Sequence, residues 1–353
     1  MKEKLVLVYP HCEDERRTRR LNEVLDRILD KYDCEKIQFA EDFRPMLGER
    51  ILFAIPLGVS GVNLEYYRFL KKLRMDEMML EGSIGAVLVD GESEMYTKSV
   101  AREFMFSANR AGCLFPGRGM VEGTRTLQNF NIQAMNLETN NLSAYMIAAE
   151  EMVGRMMTFQ PHPKQEPKLL VLHASNHETS NTVTLWHMVK KHLRGFEINE
   201  ISLRNGTIMD CEGCPYHMCL HFSEQSACYY GGVISEDVYP AIVACDALVL
   251  LCPNYNDAVS ANLAAFINRL TALFRRTPFY DKHVFALVVS GYSGGNIVAE
   301  QVISALSVNK TFCLPSRFSM VETANAALSV LEIDGIEERA RVFAKGMKDV
   351  LQM

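Results

Sequence analysis

From Lys168 to the carboxyl terminus, short apolar runs alternate with longer amphipathic stretches, and few folds accept that rhythm. "KLLVLHA" from Lys168, "ALVLLCP" from Ala247 and "HVFALVVSG" from His283 are too short for buried helices. They are also apolar on successive residues, as a strand covered on both faces must be. Each leads into a stretch of helical character: "TVTLWHMVKKHL", "AVSANLAAFINRLTALF" and "IVAEQVISAL". "FEINEISL" supplies a further strand and "SEDVYPAIVACD" a short helix, while a fifth strand is expected within "TFCLPSRFSM". "IEERARVFAKGMKDVLQ" closes the chain as an amphipathic helix. The pattern predicts an α/β fold, a doubly wound parallel sheet of five strands with ligands at the strands' carboxyl ends.

At 353 residues the chain is long for one domain, and the polar, proline-bearing segment "TFQPHPKQEPK" (158–168) reads as a linker. The predicted division is 1–157, the linker 158–168, and 169–353, with a cysteine-rich loop at 207–230. The two halves are related. Placed 200 residues apart without a gap, 86–122 and 286–322 share eleven identities over 37 positions, including Cys113–Leu114 with Cys313–Leu314. At an offset of 197, Pro56, Val62, Phe69 and Leu73 meet Pro253, Val259, Phe266 and Leu270. This predicts a duplication in which the first half repeats part of the second. Only ten residues separate "KIQFA" from "ILFA", which leaves no room there for a loop and helix of the kind that follows "FEINEISL".

Charge and composition exclude several classes. A net charge of −6 argues against a nucleic-acid binder, and the basic run Arg16 to Arg20 is flanked by acids, as on a solvated helix face. No apolar run approaches the roughly 18 residues of a membrane span, and the amino-terminal run is too short for a signal-peptide core. A cytoplasmic location is therefore expected. Thiols stay reduced there, so a tight cysteine cluster points to metal or redox chemistry before disulfides.

Three loops follow the first, third and fourth strands of the second half. "HASNHETSNT" (173–182) opens into a helix, where free backbone amides and the helix dipole suit an anion, although ordinary N-capping would use the same residues. "CPNYNDAVSAN" places Tyr255 between two Asn residues, and "SGYSGGN" brings Gly291, Gly294 and Gly295. Either alone is also ordinary turn chemistry. "GYSGG" fits the G-x-S-x-G nucleophile elbow, but no His follows Ser293 to serve as base, so a hydrolase is set aside.

On these loops the second half resembles the flavodoxin-like NAD(P)H-dependent FMN reductase family, in particular its iron–sulfur flavoprotein branch. "SNHETSNT" is similar to that family's phosphate loop. "PNYNDAVSANLAAFINR" is similar to its flavin-ring loop, and "SGYSGG" to its Gly-rich third loop. The resemblance implies two flavodoxin-like domains, the second complete and the first a degenerate copy. It implies that Ser175, Ser180, Asn181 and Thr182 hold the FMN phosphate. Pro253, Asn254, Tyr255 and Asn256 would line the isoalloxazine, with Ser290, Gly291, Tyr292 and Gly294 at its other edge. The family often carries a basic residue in the phosphate loop, and here His177 alone could serve. The resemblance implies NAD(P)H as a co-substrate, and the chain has no G-x-G-x-x-G fingerprint for a dedicated NAD site. No catalytic side chain is required, because the flavin carries the chemistry. The resemblance further implies a homodimer and a small-molecule acceptor or a redox protein as partner.

"MDCEGCPYHMCLHFSEQSAC" (209–228) holds four of the ten cysteines, Cys211, Cys214, Cys219 and Cys228, spaced C-x2-C-x4-C-x8-C. Four thiolates in one loop suit a [4Fe–4S] cluster or tetrahedral Zn²⁺, the latter with His217 or His221 in reserve; free or redox-switching thiols are the third reading. The iron–sulfur branch places a tighter C-x2-C-x2-C motif here, two residues shorter in its second spacing. Cys113, Cys245, Cys252 and Cys313 sit in apolar runs and are expected to be buried and inert. The alternatives to a reductase are an FMN and iron–sulfur electron carrier, or a non-catalytic module with a zinc-bound loop.

Overall fold

The computed structural model describes residues 2–13, 18–175, 178–204 and 208–353. The chain forms two compact units, Met1–Gln160 and Pro161–Met353. The first runs β1 (Lys4–Val8), α1 (Arg19–Leu29), β2 (Asp33–Ile37), β3 (Arg50–Leu57), α2 (Leu64–Met75), β4 (Ile84–Gly91), α3 (Thr97–Arg110), β5 (Met120–Gly123), α4 (Asn131–Asn136) and α5 (Asn141–Thr158). The second opens with β6 (Lys168–His173), α6 (Asn181–Lys190), β7 (Glu197–Ser202), α7 (Tyr216–Glu224), α8 (Tyr239–Ala244) and β8 (Ala247–Asn254). It continues through α9 (Ala261–Phe274), β9 (His283–Ser290), α10 (Gly295–Val302), β10 (Ser319–Thr323) and α11 (Ile336–Leu351).

Each unit is a five-stranded, all-parallel sheet flanked by helices, ordered β2-β1-β3-β4-β5 and β10-β9-β8-β6-β7. Read from the edge strand, the two orders are the same, 2-1-3-4-5, the flavodoxin-like arrangement. The direction of winding reverses between β1 and β3 in one sheet and between β6 and β8 in the other. Crevices open beside the carboxyl ends of the strands at such points.

Burial explains why the central strands read as continuous apolar runs. Ala247 through Cys252 are wholly buried in β8, as are Ile51 through Ile55 in β3, because helices cover both faces. In the edge strand β7, Glu197 and Asn199 are exposed and the other four residues half-buried, and only two of its six residues, Ile198 and Ile201, are apolar. In the closing helix α11, Ile336, Ala340, Ala344, Met347 and Leu351 form one buried stripe at helical spacing. That stripe joins a core around Trp186, Leu185 and Val249. Unit 1 has its own core, built on Leu7, Leu52, Leu88 and Tyr145.

Three features differ from expectation. The first unit is a full five-stranded sheet, not a partial repeat; it lacks only a helix between β2 and β3, where a single 3₁₀ turn (Ala40–Asp42) fits. The fifth strand of the second unit starts at Ser319, at the end of the predicted window, because the residues before it make only a bridge, His283 with Cys313. The cysteine segment is not all loop: Pro215 precedes α7, which carries Cys219. Among the described residues, no helix is long and apolar enough to cross a membrane.

Candidate functional site

At the carboxyl ends of β6, β8, β9 and β10 the second unit opens a cleft of about 730 Å³. That volume is in the usual range for small-molecule and cofactor sites. Of the predicted residues, Ser175, Ser180, Asn181, Thr182, Pro253, Asn254, Tyr255, Asn256, Gly291 and Tyr292 all line it. Asn176 and His177 lie outside the described residues, as do Arg16 and Arg17 of the basic run and Thr207 at the start of the cysteine segment.

One end of the cleft is a knot of hydroxyls. Thr182 Oγ1 lies 2.9 Å from Ser180 Oγ and 3.4 Å from Ser175 Oγ, with Ser175 and Thr182 both buried. Ser180 caps α6 by accepting from Val183 N. The amides of Asn181 and Thr182, which have no partner within the helix, then face the cleft's end with the positive end of the helix dipole. Hydroxyl donors and free amides at a helix start suit a phosphate. Asn181 plays a different part from the expected one, because its side chain is spent elsewhere. Its amide donates to Ala324 O and Ala326 O, and its carbonyl accepts from Val330 N. It ties the segment after β10 to the loop, and Ala324, Asn325 and Ala327 thereby complete the cleft wall.

The other end is built by two loops locked together through Asn254. Its Nδ2 donates to Ser290 Oγ at 3.1 Å and to Ser293 O at 3.0 Å, and lies 3.4 Å from Asp257 Oδ1. Ser290 is buried behind Asn254 and supports it from below. Asn254 Oδ1 is buried with no hydrogen-bond partner, an acceptor left open. Beyond it the chain turns tightly, with Tyr255 and Ala258 exchanging both backbone hydrogen bonds around Asn256 and Asp257. Both central residues have positive φ, 53° and 58°, which Asn and Asp tolerate better than other non-glycine residues. Gly294, at φ 82°, starts α10 rather than lining the cleft; a Cβ there would fall 2.0 Å from Asp257 Oδ1. Tyr255 and Tyr292 stand 60% and 81% exposed, one aromatic ring on each loop.

Asp257, Thr179, Val289 and the 324–327 segment were not singled out by sequence, and Ser293 was considered only as a nucleophile and set aside. The rule that ligands sit beyond the carboxyl ends of strands points to the segment after β10 once that strand is placed.

The four cysteines of the 209–228 segment surround a second, smaller cavity of about 190 Å³, together with Phe222, Tyr230 and Arg269. His217 and His221, the alternative ligands, do not line it. Cys214 Sγ contacts Tyr230 Oη at 3.7 Å, and that contact pushes the phenol up to about 12. The thiols share the cavity without converging: among the described residues, no three His, Cys, Asp or Glu side chains are placed to hold a metal ion. Cys113, Cys245, Cys252 and Cys313 are buried, and burial raises the pKa of each thiol, so they are inert.

Comparison with known proteins bears on the second unit. Residues 167–326 match the family model for NADPH-dependent FMN reductase. No curated protein matches the chain. Among solved structures, an azoreductase from Bacillus anthracis str. Sterne is 14% identical, with 51% of this chain and 99% of that one covered and a TM-score of 0.38. An NAD(P)H:quinone oxidoreductase from Methanothermobacter marburgensis is 16% identical, with coverage of 52% and 96% and a TM-score of 0.38. An NADH:FMN oxidoreductase in its apo form is 15% identical, with coverage of 53% and 90% and the same TM-score, 0.38. The family match runs from the residue before β6 to beyond β10 and takes in all the cleft-lining residues except Ala327. The β6–β10 portion of this chain, residues 167–326, is thus the part similar to the NADPH-dependent FMN reductase family.

Proposed function

We propose that the second unit binds FMN in the 730 Å³ cleft and passes electrons from NAD(P)H to a small acceptor. The observation that carries this is the convergence of four strand-end loops on one crevice with two chemically distinct ends. The hydroxyls of Ser175, Ser180 and Thr182, with the first amides of α6, suit the phosphate. The open acceptor Asn254 Oδ1 suits an N–H on the rim of a planar heterocycle, and Tyr255 and Tyr292 offer aromatic surface beside it. Both ends fit the cofactor.

FMN, when bound, supplies the group that accepts a hydride and gives up electrons, so no acid or base is asked of the chain. The protein's residues do the rest. The hydroxyl knot anchors, the turn Tyr255–Ala258 sets the rim, and Ser290 keeps Asn254 from swinging away. The four-cysteine cavity is consistent with a metal-bound loop in composition. As arranged, its thiols do not meet at a point, so we assign no electron path through it.

FMN titrated into the purified protein should lose its fluorescence at one equivalent, and the complex should oxidise NADH or NADPH when a quinone is supplied. Thr182→Val and Asn254→Ala should each weaken FMN binding about tenfold, the worth of roughly one hydrogen bond to a charged or buried group. A protein that takes up FMN but never oxidises either nicotinamide would leave an electron carrier served by another protein. One that ignores FMN altogether would leave a non-catalytic module.

A further inference from the structure

Among the described residues that line the cleft, one side chain carries a charge, and it is an acid: Asp257. The other lining residues are hydroxyl, amide, tyrosine or apolar residues, with no Lys or Arg among them. This is an unusual balance for a site read as holding a phosphate ester and exchanging electrons. It places a fixed negative charge on the rim that carries the two exposed tyrosines.

The carboxylate is held there. Asp257 occupies the second central position of the tight turn, and the turn's two backbone bonds close around it. Its carbonyl oxygen accepts from Gln301 Nε2 at 2.8 Å, while Gln301 Oε1 accepts from Val259 N at 3.1 Å, so the last turn of α10 clamps the loop on both sides of Ala258. Its carboxylate reaches back to Asn254 Nδ2, the group that joins the ring-side loops. No ion pair involving Asp257 is present among the described residues to cancel the charge. The nearest polar partner is a neutral amide.

We infer that Asp257 sets the charge class of the electron acceptor: the cleft takes uncharged or cationic planar aromatic acceptors and discriminates against anionic ones. This rests on the reading of the cleft as a flavin site, since only then does an acceptor enter it. In the reaction, the nicotinamide's C4–H bond breaks and its two electrons and proton leave as hydride. A quinone acceptor gains those two electrons, that proton equivalent and one further proton from water, forming two O–H bonds. An acceptor bearing a sulfonate must bring a second negative charge to within several ångströms of Asp257 while doing so. For an exposed pair at such a separation, Coulomb repulsion corresponds to a discrimination of about fivefold, and it weakens as salt is added.

The test compares kcat/KM for an uncharged naphthoquinone, its sulfonated derivative and a trimethylammonium derivative, using the FMN-loaded full chain with saturating NADH. Intrinsic reactivity differs among the probes, so the quantity read is how each ratio changes between wild type and Asp257→Asn. The uncharged-to-sulfonated ratio should fall about fivefold in Asp257→Asn, mainly through KM for the sulfonate, and should be restored in Asp257→Glu. In wild type the same ratio should shrink between 10 mM and 500 mM salt. A ratio unchanged by Asp257→Asn, or insensitive to salt, overturns the assignment while FMN binding and quinone turnover stand. Failure of the wild-type chain to bind FMN or to reduce any of the three probes overturns the flavin reading itself, and this inference with it.

Discussion

His283 opens β9 with its side chain 8% exposed and neither ring nitrogen hydrogen-bonded. Burial drives its pKa down to about 4, and the nearby Asp246 carboxylate only partly opposes that. The unfolded chain holds such a ring near 6.5. Keeping it neutral therefore costs nothing above about pH 6.5, and below that the unfolded chain gains protons that the folded one refuses. Stability is lost as pH falls from about 6.5 towards 4, by on the order of 3 kcal/mol in full. Urea midpoints at pH 7.5, 5.5 and 4.5 should show this acid loss in the wild type and a shallower one in His283→Leu. Parallel slopes for the two proteins would remove His283 as its source. The position was readable as a strand residue from "HVFALVVSG", whereas its want of a partner was not. A histidine's donors and acceptors depend on what packs over the strand end.

At the scale of an element, α9 does two jobs. Its start follows the ring-side turn, and its body holds the cysteine segment. Asn262 Nδ2 donates to Leu203 O, and Asn268 Nδ2 to Asp210 Oδ1, both at 2.9 Å. Arg269, only 3% exposed, reaches Met209 O at 3.3 Å and Gly231 O at 2.7 Å, one carbonyl on each side of the four cysteines. Its charge meets these carbonyl dipoles and lies 6.0 Å from the Tyr230 ring, and its Nε is buried and unpaired. Arg269→Met should release both ends of the segment. Limited proteolysis would then cut within 208–231 at least about tenfold faster, since two hydrogen bonds from a charged group are each worth roughly 1.5–3 kcal/mol. FMN affinity should change little. Equal cleavage rates in the two proteins would show that the segment is ordered by something else. The helix itself was plain in "AVSANLAAFINRLTALF", whereas α7 was not read from a segment taken as loop. What α9 grips was not legible, because its partners lie 38 to 60 residues away in sequence.

For the whole molecule, two sheets of one strand order differ at their carboxyl ends. In unit 2 that end is the polar cleft. In unit 1, Arg20 pairs with the buried Asp90 through two nitrogens, at 2.9 and 3.0 Å, and Tyr145 donates to the same carboxylate. The Arg20 guanidinium also reaches the carbonyls of Gly91, Gly123 and Arg125. The Arg20–Asp90 pair lines a cavity of about 620 Å³ at this end of the sheet, with Arg19, Glu23, Glu92 and Arg125, so unit 1 presents paired charges where unit 2 presents hydroxyls and amides. Each unit has a separate core, so residues 161–353 expressed alone should fold and bind FMN at one equivalent, and residues 1–160 should bind none. An excised second unit that folds without taking up FMN would show that the first contributes to the site.

By itself the sequence determined the layer architecture and the position of the loops that matter. Apolar runs buried on both faces can pair only as central parallel strands, and small polar residues at their carboxyl ends can serve only turns or ligands. The tertiary structure decided which of those residues face the cleft and which serve as its frame. Asn181 and Ser290 turned out to be supports, and Asp257 and the segment after β10 turned out to be walls. Those roles depend on hydrogen bonds spanning 36 to 149 residues, from Asn254 to Ser290 and from Asn181 to Val330. Local periodicity carries no information about contacts at that separation. They exist only once the strand order has brought four loops to one edge of the sheet.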